Sequence, residues 1–598
     1  MDKTGIFFVS LCVVLLGFWF FEQQKEAARL QQQRAQFALT NQVAQIQNPS
    51  PTITANATSS NSFSSSTTLF KVASENLIVV SNSVARYTFT SRGGGLKLVE
   101  LLKFPETISL RWKRNSNETN AVATLNTRAD VPVMAILGDT NLIGDGDFTL
   151  TKTDDGVRAE KLLPDGLRVV KEFHLSSNYL INASTRLENT SDKPLALPAQ
   201  EIVIGTATPM DADDNGMYLG ALWYDGETYA DTPVSYFNTN TSFLGTIPRT
   251  PKTEFRAGAN NVLWAAAQNQ FFTLLAMTAT NQPAEQVVER PVNLPALLEG
   301  STATPVGIQT ALVYPAQTLA ANSTVTRQIT LFAGPKEFRT LSAIAGQFQN
   351  RADLAMNFGT GFTSFWGIGT FFAKLLLSGM NWLHDVLKIS YGWTIVVITL
   401  LLRGVFWPLM ATSMRSAKKM QALAPEIKAL KEKFKDDPQK FTQKQMELWK
   451  KNKVNPMSGC LPLLMQMPVF VGFYTMLRSA IELRGAHWLW VQDLSKADTI
   501  FLIPGLNFPF NLLPLLMVGA MVWQAHLQPP SPGMDASQQK MMRFMPLLML
   551  LWFYGYASGM ALYMTVSTLA SAVQAKLTRA AIAAEATPAL TPAPKSKK

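Results

Sequence analysis

Residues 391–410 (YGWTIVVITLLLRGVFWPLM) form an apolar run with a single charge inside it, Arg403. A bilayer span needs about 20 mostly apolar residues, so this run is long enough to cross. A guanidinium keeps its proton in any protein environment, so Arg403 cannot enter lipid as a neutral group. At the bilayer centre such a charge costs at least ~2.5–3.5 kcal/mol, and it normally faces a bundle interior or a water-filled cavity. A chain that keeps it has to fold around a wet space within the membrane.

The 598 residues are 47% hydrophobic, so the membrane part must be balanced by a large soluble part. At the N-terminus, residues 5–21 are an apolar run of 17 after one lysine. That exceeds the ~7–15 residues of a signal-peptide core, and Phe20, Phe21 and Glu22 leave no small-residue cleavage site. Residues 1–21 therefore read as an uncleaved signal-anchor helix. Residues 22–69 read as a flexible linker, Gln- and Ala-rich first and Ser/Thr/Asn/Pro-rich from 48, with too little apolar surface to pack. Cys12 and Cys460 lie in apolar segments without a ligand cluster, so neither a disulfide nor a metal site is expected. The net charge of +11 is a membrane-surface signal. No zinc knuckle or RNA-recognition signature supports specific nucleic-acid recognition.

Residues 70–335 carry strand patterning. Tyr179, Ile181, Ala183, Thr185 and Leu187 alternate with more polar residues, as in a half-buried strand. Residues 325–332 read likewise and are predicted to end at Gly334 and Pro335. Gly93-Gly94-Gly95, Asp165-Gly166 and Asp225-Gly226 supply turns. This predicts one large β-sandwich. His174 lies in one of its strands and has no second histidine or acid pair near it in sequence, so it reads as structural. Residues 336–390 link this domain to the membrane part. Within them, 362–388 is apolar enough for a span, but Trp366, Lys374, Trp382, His384, Asp385 and Lys388 favour a helix lying in the membrane interface.

Five spans are predicted after it, at 391–410, 459–481, 508–527, 544–557 and 560–576. Only Ala557, Ser558 and Gly559 separate the last two, so they form a tight hairpin. Pro504, Pro509, Pro514 and Pro546 lie near predicted helix starts, while Pro408, Pro462 and Pro468 predict kinks. The loop 411–453 holds twelve Lys/Arg against five Asp/Glu, and the tail from Lys576 is also basic. By the positive-inside rule both are cytoplasmic. Alternation then gives six spans, both termini inside, and the β domain outside.

Thr399 and Arg403 are spaced i,i+4 and share a helix face. Arg403 lies about 10 Å from the cytoplasmic end of its span, seven residues at ~1.5 Å each. Gln466, Thr565, Ser567 and Thr568 are further polar candidates for the same cavity. No acid lies within any span to pair with Arg403, and snorkelling to the headgroups would use the full reach of its side chain. In the basic loop, Met414, Ala417, Met420, Ala424, Ile427, Leu430 and Phe434 form a helical stripe, broken by Asp436, Asp437 and Pro438. Phe441, Gln445, Leu448 and Trp449 begin a second helix, so 411–453 reads as a helical hairpin at the membrane face; a solvated charged loop on anionic lipid is the alternative. No HExxH helix or Walker loop is present, so no metal, nucleotide or other cofactor is expected. Ser558 has no base within reach for protease chemistry, and Asn455-Pro456-Met457 has no second copy to make a water channel. A transporter with a sensor domain and a tethered carbohydrate-processing enzyme remain as rival classes, the first lacking an internal repeat and the second an acid/base constellation.

Several stretches carry a family likeness: Leu402-Arg403-Gly404 with Pro408, KVNPMSGC at 453–460, PLLMQMP at 462–468, QQKMMRFMP at 538–546, and Ser558-Gly559 with Leu562-Tyr563. Through them, segment 391–577 resembles the YidC/Oxa/Alb family of membrane protein insertases. Arg92-Gly93-Gly94 and Gly334-Pro335-Lys336 resemble the borders of the periplasmic β-supersandwich of its Gram-negative members. The resemblance implies an α-helical polytopic membrane protein, with six transmembrane helices including a five-helix insertase core, and a large periplasmic all-β supersandwich domain. It implies a groove open to the cytoplasm and to lipid and closed on the periplasmic side, with no catalytic residues. Arg403 matches the groove arginine, with Thr399, Gln466, Tyr563 and Thr565 as groove residues and Met467, Phe470 and Met564 as weaker substrate contacts. Lys418, Lys419, Lys428 and Lys431 fall in the region that faces the ribosome and targeting receptor. The implied partners are nascent membrane proteins, the Sec translocon and the phospholipid bilayer, and the implied location is the bacterial inner membrane. The chain departs from the Gram-negative pattern at Met564, where a second tyrosine is common. The tail 578–598 reads as basic and disordered.

Overall fold

A computed structural model describes residues 75–586, apart from 109–120, 144–145, 211–213, 215, 238–249, 297–304, 360–366, 436, 453–460, 506–507 and 528–535. The signal anchor, the linker, both cysteines, the Asn455-Pro456-Met457 motif and the tail beyond 586 lie outside the described residues. The chain forms two compact units, one chiefly within 23–360 and one within 361–598.

The first unit is β-rich, as the alternation predicts. Its largest sheet has nine antiparallel strands in the order Tyr229–Pro233, Gly220–Tyr224, Trp264–Gln268, Phe272–Thr278, Thr324–Pro335, Leu180–Asn189, Leu167–Leu175, Gly156–Leu162 and Thr149–Lys152. A five-stranded sheet, in the order Phe255–Ala257, Gln286–Asn293, Val306–Tyr314, Gln200–Ala207 and Ile136–Leu137, packs face to face against it. Ile181, Ala183, Thr185 and Leu187 all point inward. The strand predicted to stop at Gly334 instead runs through Pro335, which pairs with Phe272. A missing N–H is tolerated there because the next residue, Lys336, donates its own N–H to Phe271. The Gly93-Gly94 turn is left-handed at both residues, and a Cβ on Gly94 would lie 2.5 Å from the Phe148 ring. Lys171, fully buried, ties this turn down by donating to the carbonyls of Gly93 (2.6 Å) and Met134 (2.7 Å).

The second unit is helical. Residues Ile368–Leu387 form helix α1, which buries Ala373, Leu376, Leu377 and Met380 and exposes Leu375, Trp382 and Val386. Ser378 and Asp385 are exposed beside these apolar residues. Helix α2, Tyr391–Ala422, follows and continues twelve residues past the predicted end of its span. Basic residues do not stop a helix, so the charge transition at 411–419 marks no boundary. The break comes at Leu423, ahead of Pro425, and splits the predicted stripe 414–434 between α2 and α3, Ala424–Lys433. Helix α4, Pro438–Lys451, starts under an Asp437 cap whose carboxylate accepts the Lys440 N–H at 3.0 Å. Leu423 and Ile427 pack with Met420, Phe441, Leu448 and Trp449 to hold α3 and α4 together.

Helix α5 is Leu461–Ser479, α6 is Leu512–Leu527, α7 is Ala536–Phe553 and α8 is Ser558–Ala586. Three boundaries differ most from expectation. Helix α8 runs to Ala586, ten residues past 576 and nine residues into the tail read as disordered from 578, because this stretch is rich in alanine, a strong helix former. Residues 508–511 open no helix; Phe508–Asn511 pairs with Thr499–Ile503 as a β-hairpin, and Phe501 stacks on Phe510 at 4.9 Å. Helix α7 begins eight residues before 544, so Pro546 lies in its interior. Among the described residues, Tyr391–Ala422 is the one helix long and apolar enough to cross a membrane by length and composition; Leu512–Leu527 and Phe544–Phe553 are apolar but shorter.

One buried acid makes the β unit sensitive to pH. Glu289 is fully buried, and neither carboxylate oxygen makes a well-formed hydrogen bond. Burial, with Asp231 nearby, pushes it from the ordinary 4.5 up to about 8. A raised carboxyl favours the protonated fold, so its stabilisation is complete below about 4.5 and is lost as pH rises through about 8. Glu289→Gln should flatten this fall, a difference on the order of a few kcal/mol. Hydrogen exchange in strand Gln286–Asn293, followed from pH 4.5 to 8 in both proteins, measures it.

Candidate functional site

Helices α2, α5 and α8 meet around a recess lined by Thr399, Leu402, Arg403, Phe406, Leu409, Met410, Gln466, Val469, Tyr563 and Ser567. Along α2 the lining recurs at 399, 402, 403, 406, 409 and 410, the 3.6-residue period of one helix face. The recess has an enclosed volume of about 20 Å³ behind its open mouth, room for about one water molecule. Half of its lining is apolar, and four of the five polar residues, Arg403, Gln466, Tyr563 and Ser567, are joined into one network.

That network centres on Ser567. Arg403 donates to the Ser567 hydroxyl oxygen from Nε, at 3.1 Å, and also from Nη2. Gln466 Nε2 donates to the same oxygen at 3.1 Å and to the Tyr563 hydroxyl at 2.9 Å. Tyr563 is held in turn by a stacked contact with Phe473, ring centres 4.2 Å apart. Ser567 and Tyr563 are each only 2% exposed, so the network is fixed by packing on the α8 side. No carboxylate pairs with Arg403 among the described residues, and the sequences of α2, α5, α6 and α7 contain none. The positive charge is therefore held in place without being neutralised.

The structure brings Arg403, Gln466, Tyr563 and Thr399 to one recess. Thr399 contributes little polarity, because its hydroxyl donates to its own helix at Ile395 O, 2.6 Å away. Thr565 and Thr568 are not in the lining, and the Thr565 hydroxyl donates to Ala561 O at 2.7 Å. Two residues along a helix turn by about 200°, so Thr565 faces away from Tyr563 and Ser567. Of the other named positions, Met467 is exposed and Phe470 and Met564 are half-buried, all outside the recess lining. Lys418, Lys419 and Lys428 are exposed, and Lys431 is half-buried.

Away from this recess, the start of α8 is sealed by the loop before α6. Ser558 N donates to Lys496 O (2.7 Å), Gly559 N to Leu494 O (2.8 Å), and the Ser558 hydroxyl to Asp493 O (2.7 Å). A Cβ on Gly559 would lie 3.0 Å from both Leu494 O and the Leu477 side chain, so a larger residue would have to push these neighbours back by a few tenths of an ångström. Asp498 caps α6, accepting from Leu512 N (3.1 Å), Leu513 N (2.6 Å) and Trp490 Nε1 (3.1 Å). The sealed end is about 12 Å from Ser567 along α8, eight residues at ~1.5 Å each. Ser558 is fully buried, and its hydroxyl already donates to a backbone carbonyl.

Among its described residues the β unit presents no comparable constellation. His174 pairs with Asp155 at 2.9 Å on the surface, and Glu289 is sealed from any solute. Among the described residues no group of three or more His, Cys, Asp or Glu is placed to hold a metal ion.

Two protein families match the chain: the YidC periplasmic domain over residues 77–376 and the 60Kd inner membrane protein over 382–585. A membrane protein insertase YidC from Paraburkholderia xenovorans is 30% identical over 506 residues, covering 83% of each chain. One from Bordetella petrii is 30% identical over 542 residues, covering 84% of this chain and 82% of its own. A solved structure titled as an active YidC insertase with its first transmembrane domain resolved is 18% identical, covering 85% of this chain and 93% of its own at a TM-score of 0.33.

Whether the recess holds water is testable at two neighbouring positions. Leu401 is 57% exposed but outside the lining, whereas Leu402 is half-buried within it. In a background with Cys12 and Cys460 replaced by serine, Leu402→Cys should react with a water-soluble maleimide at least about tenfold faster than Leu401→Cys, since a thiol in lipid does not ionise. Exposure alone would give the reverse order.

Proposed function

The chain belongs to the YidC family of membrane protein insertases, and on that premise we propose that it inserts, folds and helps assemble integral proteins of the inner membrane, alone or with the Sec translocon. The observation that carries the reading is an arginine held at a recess by a neutral serine, with no acid beside it. Such a site attracts negative charge and keeps water next to an apolar bundle.

In this reading the chain has six spans with both termini in the cytoplasm, and the β domain is periplasmic. Helix surfaces support a lipid surround. On α7, Phe544, Leu547, Leu548, Leu551 and Trp552 are exposed, and on α2 so are Leu400, Leu401 and Val405. Contiguous apolar surface of this kind needs a nonaqueous neighbour. At ~1.5 Å per residue the 32 residues of α2 are about 48 Å long, against a hydrocarbon core of roughly 30 Å. The excess carries the α3–α4 hairpin into the cytoplasm, where its exposed lysines are set to meet the ribosome and targeting receptor.

Insertion then follows from transfer energies. A substrate's short extracytoplasmic tail enters the recess, where an acid about 4 Å from Arg403 gains roughly 4 kcal/mol at an effective dielectric of 20. Water in the recess shortens the apolar barrier the tail must cross. The substrate's apolar helix meanwhile leaves along α5 and α8 into lipid, and the hydrophobic effect supplies the drive without a nucleotide.

Arg403→Ala should abolish insertion of an acidic-tailed substrate into proteoliposomes, while Arg403→Lys should retain it, because lysine supplies the same charge. Normal insertion of every substrate by the alanine variant would overturn the electrostatic role. Topology is checked separately. Lys418→Cys should be labelled only from the cytoplasmic side, and Leu162→Cys, at an exposed strand end, only from the periplasmic side.

A further inference from the structure

We propose that Ser567 is a positioning residue that occupies a substrate-binding edge of Arg403 in the empty recess and gives it up to a substrate carboxylate. This rests on the reading of Arg403 as the group that receives acidic tails.

Three N–H groups converge on the one Ser567 oxygen: Arg403 Nε, Arg403 Nη2 and Gln466 Nε2. A hydroxyl oxygen has two acceptor lone pairs, so three donors compete for two places. The Nε–Nη2 side of the guanidinium is one of the two edges, with Nη1–Nη2, that can take a carboxylate bidentately. A single serine oxygen covers the Nε–Nη2 fork but satisfies it incompletely. A carboxylate brings two oxygens, about four lone-pair sites and a negative charge, and is the stronger acceptor. Exchange of serine for carboxylate therefore runs downhill. Gln466 remains as a donor to the Ser567 oxygen, so the serine is not orphaned when Arg403 turns to the substrate.

Neutrality is central to the device. An acid at 567 would form a permanent ion pair and cancel the field that draws the substrate in. An apolar residue would leave the fork without a partner, free to rotate towards the headgroups. Serine holds the fork and leaves its charge intact. Its place on α8, one turn after Tyr563 and bridged to it through Gln466, sets the distance between arginine and tyrosine.

The test uses the full chain in proteoliposomes with two substrates that differ only in an Asp or an Asn in the translocated tail. Ser567→Ala should lower insertion of the Asp substrate about tenfold, the scale of one charge-assisted hydrogen bond, and change the Asn substrate less than about twofold. Ser567→Thr keeps the hydroxyl and should restore the Asp preference. Ser567→Asp should reduce the Asp substrate to the level seen with Arg403→Ala. Adding Ser567→Ala to Arg403→Ala should cost nothing further, because there is no fork left to hold. A purely structural role for Ser567 would lower both substrates together, and that result, or an unchanged Asp preference in the alanine and aspartate variants, overturns the proposal. If Arg403→Ala depresses the Asp substrate while the Ser567 variants do not, the groove reading stands and the positioning role falls. If Arg403→Ala leaves the Asp substrate unaffected, both fall.

Discussion

A charge that cannot be discharged organises the helical unit. Arg403 sits on an apolar helix, and its fork is met by neutral oxygen on α8, supported by an amide from α5. Those contacts join the three helices at one level without cancelling the charge. An ion pair would have been a stronger tie, but it would have made the recess electrically silent. The apolar positions at 402, 406, 409 and 469 then shape a wall around the charge. The site is thus a compromise between cohesion and field, and each side chain in it can be understood from that compromise.

Much of this was legible in the residues. Arg403 within an apolar run, with no acid inside any predicted span, pointed to a wet space, and the i,i+4 relation to Thr399 located its face. Gln466 and Tyr563, also named from the sequence, line the same recess. Ser567 was only one polar candidate among three on α8, and Thr565 was carried further than the helix period warrants. Tyr563 and Ser567 are four apart and share a face, while Thr565 is turned away from both. The period held the answer, but hydroxyl type alone does not reveal which residues face inward.

Element ends were less legible for a different reason. The run from Phe508 to Leu527 is mostly apolar, so its hydropathy cannot separate a strand from the helix that follows. The split is made by pairing with Thr499–Ile503 and by Asp498, a distant carboxylate that caps the helix at Leu512. Conversely, the charge transition after Met410 changes solvation without interrupting backbone hydrogen bonding, so α2 passes straight through it. In the β unit, alternation read well because one face of each strand is buried, and Pro335 misled only because a proline at a strand's last position costs little.

The length of α2 has a mechanical consequence. The same rod carries the guanidinium near its middle and the Leu423 joint to the α3–α4 hairpin at its end. A twist or tilt imposed on the hairpin is passed along the rod's hydrogen-bonded turns to Arg403, about 30 Å away at ~1.5 Å per residue. Pro408 removes one of those bonds and makes the rod most compliant five residues from the charge. Events at the hairpin and the aim of the guanidinium are therefore coupled by a single lever, with its softest point placed between them.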